Sequence, residues 1–214
     1  VSHGFGGWAT SMTNLTENLA SKGYVIVAID HDDIPGDPVE GPFAFPNVVI
    51  NRAHDQRAVI NAMTQDNENA VVDFRALINR DAIGLVGYSM GGFGAVASLG
   101  AAYDADGGSL KRLNLPAPAF EQLLADEDVG IDAAVLMAPW GAQTDVRAWQ
   151  ADALATVEQP VLLIGGDLDD VSMYDDGIRW LYDNLTGSER TLLTYQLARH
   201  NVANEVGRAS AQLG

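Results

Sequence analysis

Cysteine is absent from this sequence of 214 residues. Disulfides, thiolate metal sites and a cysteine nucleophile are therefore excluded, while the redox compartment stays open. Lysine is nearly absent too, with Lys22 and Lys111 the only two among twelve basic residues, against 29 acidic ones. The formal net charge of −17 repels nucleic-acid phosphates and anionic lipid, and no basic stripe offsets it, so nucleic acid is not an expected partner. Such acidity serves solubility or suits a salty or extracellular setting, and it says nothing about fold. No apolar run approaches the roughly 18 residues that a transmembrane helix requires. Val1-Ser2-His3-Gly4 offers no charged segment before an apolar stretch, and the chain reads as starting partway through a fold. Localisation stays open, with a lean toward a secreted or periplasmic setting.

What is present is an apolar content of 47%, enough for the core of one domain spanning residues 1–214. Short β-branched runs alternate with helical patterns. Tyr24–Asp30 is a continuous apolar run ending in an acid, expected as a strand buried on both faces. Ile83–Gly87, Ile131–Met137, Pro160–Gly165 and Thr191–Tyr195 read as further strands. Helices are expected at Ser11–Ala20 (N-capped by Thr10 or Ser11 and ended by Gly23), Asn51–Met63, Met90–Ala101, Ala119–Leu124, Tyr174–Asn184 and Ala203–Gln212. This alternation predicts an α/β domain with a mostly parallel sheet and helices on both faces. His31–Asn47 and Asp104–Gly130 read as a long loop and an insertion, leaving the carboxyl ends of strands where ligands bind.

Gly87-Tyr88-Ser89-Met90-Gly91 matches G-x-S-x-G. The string alone is weak, but an apolar strand precedes it and a helix rich in small residues follows. That context predicts a sharp, strained turn that exposes Ser89 above a helix N-terminus, with glycine at 87 and 91 avoiding collision. The Met90 amide is then placed to hold an oxyanion. The competing account is a glycine-rich turn with an incidental serine. Ser2-His3-Gly4-Phe5 resembles the loop that supplies a second oxyanion amide, here from Phe5, whose ring would wall the pocket. His3 is given a structural role.

Of the four histidines, only His200 follows Ser89. The order Ser…Asp…His therefore makes it the base, unless it is simply a solvated surface residue. His31 lies in Asp30-His31-Asp32-Asp33, where a solvated acidic loop is favoured over a zinc site, and His54 reads as a surface or packing residue. No motif asks for a metal or cofactor. Asp167, Asp169 and Asp170 all leave an apolar strand at the edge expected for Ser89, and the residues alone do not choose the acid. The other two are expected to cap the following helix.

Together these segments, with Leu19–Asp30, Gly84–Gly92, Ala138-Pro139-Trp140 and Gly165–Val171 in order, resemble the α/β-hydrolase fold. Within it they resemble bacterial cutinases and polyester hydrolases, and the dienelactone hydrolase or platelet-activating-factor acetylhydrolase-like group. The resemblance implies Ser89 as nucleophile, Asp169 as acid, His200 as base, and the Phe5 and Met90 amides as oxyanion donors. It makes Trp140 an aromatic wall for the acyl group, with Val171 beside it, although Trp140 could equally be a core residue. The resemblance leads one to expect strands before the His-Gly loop that this sequence does not offer, so an N-terminally incomplete domain is expected, and 104–130 and 141–159 look longer than in compact cutinases. Authentic dienelactone hydrolases use cysteine, so the family label does not give the substrate. The expected activity is hydrolysis of small-molecule or polymeric esters. Acyl transfer or peptide hydrolysis by the same residues, and a non-catalytic binding module, stand as alternatives. Oligomeric state is not legible.

Overall fold

The computed structural model describes residues 1–33, 44–64, 77–113 and 129–203. At its centre is an all-parallel sheet of four strands in spatial order β1 (Gly84–Tyr88), β2 (Ala133–Met137), β3 (Val161–Gly166) and β4 (Arg190–Tyr195). Each coincides with an expected apolar run. The register sets Tyr88 opposite Met137, Met137 opposite Ile164, and Gly166 opposite Tyr195, so the carboxyl ends share one edge.

Side chains alternate across the sheet with the strand period of two. Leu85, Ala134, Leu136, Val161 and Leu163 enter a large core around Phe93 and Trp149. Val86, Tyr88, Val135, Met137 and Ile164 enter a second cluster with Met12 and Ile178. Burial on both faces is why these strands read as continuous apolar runs rather than alternating ones. Helices α2 (Ala44–Thr64) and α3 (Met90–Ser98) pack together on the side of the larger core.

Several expectations are corrected. Tyr24–Asp30 is not a strand buried on both faces. It makes a single parallel bridge, Ile29 to Ser2, and Tyr24 is 63% exposed. The bridging partner is only the short Val1–Ser2 segment, and α1 (Thr13–Ala20) buries no residue that would cover the run. A 3₁₀ turn, Ala9–Met12, leads into α1, and the Ser11 hydroxyl accepts from the Trp8 amide rather than capping α1, whose N-cap is Met12. Gly23 does end that helix, at a φ of +93°. The loop expected at His31–Asn47 gives way to helix already at Ala44. The 104–130 stretch contains a helix, α4 (Gly108–Leu113). Tyr174–Asn184 opens with a wide π turn, Tyr174–Arg179, before α5 (Trp180–Asn184). The helix expected at Ala119–Leu124, and all of Ala203–Gln212 after Ala203, lie outside the described residues. Among those residues no helix is long and apolar enough to cross a membrane.

Candidate active site

Ser89 joins β1 to α3 with φ +51° and ψ −113°, a region that side chains other than glycine rarely occupy. The turn can be this tight because its neighbours carry no side chain. A Cβ on Gly87 would lie 2.4 Å from the Gly91 carbonyl oxygen, and one on Gly91 would lie 2.2 Å from that of Ser2. The Ser89 amide donates to the Met137 carbonyl at 2.9 Å, which ties the turn to the end of β2. Met90 is the first residue of α3, where an amide has no carbonyl partner within its own helix.

The Ser89 hydroxyl donates to His200 Nε2 at 2.9 Å, and His200 Nδ1 donates to Asp169 Oδ2 at 2.9 Å. The two bonds agree with one tautomer, the proton on Nδ1. Asp169 Oδ1 accepts from the amides of Val171 and Ser172 at 2.9 and 2.8 Å. Burial works to raise the Asp169 pKa, but the hydrogen bonds and charge of His200, with those two amides, outweigh it and hold it below the usual carboxylate value. Asp169 is thus ionised and oriented. In chemical terms, a hydroxyl faces a base that can take its proton, and a fixed anion stands ready to stabilise the resulting imidazolium.

The neighbouring acids do not cap the following helix as expected, because both are turned toward the loop that carries His200. Asp167 accepts from the Leu197 amide at 2.7 Å, and Asp170 pairs with Arg199. Asp169 itself takes the amides of Val171 and Ser172. Backbone bonds from Asp167 N to Tyr195 O and from Leu168 N to Ala198 O join the same two loops.

The loop of His3 and Phe5 is held from beneath by polar groups that sequence reasoning passed over. Arg52 on α2 donates to the His3 carbonyl at 2.9 Å and pairs with buried Asp33, while Gln56, one turn along, donates to the Gly91 carbonyl at 2.9 Å. Their spacing of four puts both on the buried face of α2, and polar residues recurring on that face were the available signal. His3 is structural, as expected. It is 1% exposed, its Nδ1 donates to the Gly4 carbonyl, and its Nε2 accepts the His31 amide. Burial lowers its pKa to about 4, partly opposed by the bond to Gly4.

His31 corrects the expectation of a solvated loop, being buried with Nε2 bonded to Ser2 Oγ at 2.8 Å and Nδ1 to Asp55 at 2.7 Å. Both ring nitrogens are engaged, which leaves no lone pair for a metal. The hydroxyl–imidazole–carboxylate order repeats that at Ser89, yet Ser2 is fully enclosed and lies on no strained turn. It is scaffold. His54 is exposed, in line with the surface reading.

Phe5, which follows Gly4 beside the Ser89 side chain, is 39% exposed, and Val171, two residues after Asp169, is 48% exposed. Trp140 is half-buried, with its amide donating to the Ser89 carbonyl at 3.1 Å and its ring 5.7 Å from that of Phe93. Its ring packs on the core, in line with the core reading, and its backbone lies at the edge of the serine turn.

A sequence profile described as the alpha/beta hydrolase family matches residues 1–207. Among curated proteins, the chain is 26% identical over 210 residues to "Cutinase 2" of Thermobifida cellulosilytica, covering 96% of this chain and 62% of that one. It is equally similar, at 26% over 210 residues, to "Cutinase cut1" of Thermobifida fusca, of which it covers 51%. To "Cutinase est1" of Thermobifida alba it is 24% identical over 205 residues, spanning 95% of this chain and 53% of the relative. The chain thus spans between half and two thirds of the length of these relatives.

Proposed function

The chain belongs to the alpha/beta hydrolase family, and from that premise we propose that it carries the active site of a serine-dependent carboxylic ester hydrolase. Ser89 Oγ attacks the ester carbonyl carbon as its proton passes to His200 Nε2. The tetrahedral oxyanion is held by the amides of Met90 and Phe5, and Asp169 stabilises the imidazolium. Collapse expels the alcohol, which takes the proton from His200 and leaves an acyl-enzyme. Water, deprotonated by the same imidazole, then releases the acid.

The observation that carries this reading is the unbroken hydrogen-bonded line from Asp169 through His200 to Ser89, ending on a strained turn. Similarity to proteins named as cutinases favours ester over other substrates. The exposed apolar side chains of Phe5 and Val171, with half-buried Trp140, favour an apolar acyl group, on a small-molecule or a polymeric ester. Replacing Ser89 with alanine should abolish turnover of p-nitrophenyl esters and labelling by a fluorophosphonate; activity that survives the substitution would refute the assignment. Supplying an alcohol acceptor and finding transferred acyl product would instead assign the same site to acyl transfer. Esters of graded chain length, followed by polyester film, would define the substrate.

A further inference from the structure

We propose that Tyr88, the first of the two unspecified residues of the G-x-S-x-G run, is a positioning residue that helps set where His200 stands relative to Ser89. The inference rests on the reading of His200 as the base. Tyr88 is the last residue of β1, 3% exposed, and its side chain enters the cluster of Met137 and Ile178. From there its hydroxyl reaches the far side of the base. It donates toward Asn201 Oδ1 at 3.0 Å, with the His200 carbonyl a longer second acceptor at 3.3 Å. The two rings lie 5.3 Å apart.

The segment before His200 has little apolar anchorage of its own, with Leu197 83% exposed and the Arg199 side chain 70% exposed, whereas half-buried Val202 and Ala203 after it pack against the cluster that holds Tyr88. Before His200 it is fastened by the loop after β3, through Asp167 to Leu197 and Leu168 to Ala198. After His200, the Tyr88 phenol adds a directional clamp through Asn201 and the His200 carbonyl. One residue is thus tied to both ends of the proton-transfer bond, to Ser89 by a peptide bond and to the His200 loop by a rigid ring with only two side-chain torsions. Such a tie restrains the serine–imidazole distance, and small errors in that distance are costly to proton transfer.

The test compares Tyr88→Phe, Asn201→Ala and the double variant. Tyr88→Phe keeps the ring and its packing, so folding is preserved, and thermal unfolding checks it. With p-nitrophenyl butyrate, each single variant should lose about tenfold in kcat while KM stays within about twofold. The double variant should be no worse than the weaker single, because both remove one clamp. The His200 Nδ1 proton, followed by NMR near neutral pH, should be narrow in the wild-type protein and broadened in Tyr88→Phe. Wild-type kcat in Tyr88→Phe, losses that multiply in the double variant, or an unbroadened resonance would each overturn the proposal. A wild-type protein that neither turns over esters nor reacts with a fluorophosphonate would overturn the hydrolase reading instead, and the resonance comparison would still decide the clamp.

Discussion

Asp167 accepts the backbone amide of Leu197 at 2.7 Å, and Leu197 holds a φ of +58°. The carboxylate thereby secures a backbone conformation that a leucine rarely adopts, three residues before His200. Gly166 lets the loops approach this closely, since a Cβ there would stand 2.2 Å from the Ala198 carbonyl oxygen. The loop after β3 thus does two jobs. It offers Asp169 to the imidazole, and it grips the backbone that delivers that imidazole.

The three neighbouring acids should separate sharply in kinetics. Asp169→Asn should lower kcat by about 10³–10⁴-fold, because the tautomer and the imidazolium lose their partner. Asp167→Ala should cost about 1 kcal/mol of stability with a smaller kinetic loss. Asp170→Asn, which breaks an exposed pair with Arg199, should leave kcat within about twofold. Equal losses in all three would contradict the roles drawn from their contacts.

Gly91→Ala should destabilise the protein by about 2 kcal/mol or more, since its Cβ meets the fixed backbone of Ser2 rather than a flexible side chain. Urea unfolding measures this, and an unchanged midpoint would mean that the chain through Ser2 and His3 does not lie over α3.

Arg52→Met should cost about 3–5 kcal/mol, because it leaves the buried Asp33 carboxylate without its cation. Adding Asp33→Asn should recover part of that loss. If the single variant is no less stable than the double one in urea, the pair is not the feature that matters.

His3 should make stability depend on acid. Its pKa is 6.5 when unfolded and about 4 when folded, with burial the main cause, so between those values the unfolded chain binds the extra proton. The stabilisation is complete above the unfolded value and falls as pH drops toward the folded one, by roughly 2–3 kcal/mol. His31, whose pKa is also lowered by burial, should add to the same trend. Chemical denaturation of the wild type and His3→Gln across this window should show the shallower decline in the variant; parallel curves would argue against a buried neutral His3.

Much of this was legible along the chain. Ser89 and its turn could be read because strand, glycines and helix are consecutive, and the collision that requires glycine at 87 arises within five residues, whereas the one at 91 is with distant Ser2. His200 followed from chain order, since no other histidine comes after the serine. Asp167, Asp169 and Asp170 were beyond the residues themselves, because all three leave one strand end and the crossing of two loops decides which meets the imidazole. The family resemblance pointed to Asp169, and the carboxylate bonded to His200 is that one.

His31 and Tyr88 mark the boundary most clearly. Acidic neighbours made His31 look solvated, yet its partners Ser2 and Asp55 come from 29 and 24 residues away and enclose it. Tyr88 occupies a position the motif leaves unspecified, and its bond to Asn201 spans 113 residues. The sequence by itself determined the parallel strands and the strained serine turn, because apolar runs and the clash of residue 87 with residue 91 act between near neighbours. Only the tertiary structure decided which polar groups hold the base and the His3 loop, because hydrogen bonds are short and directional and depend on how distant segments cross.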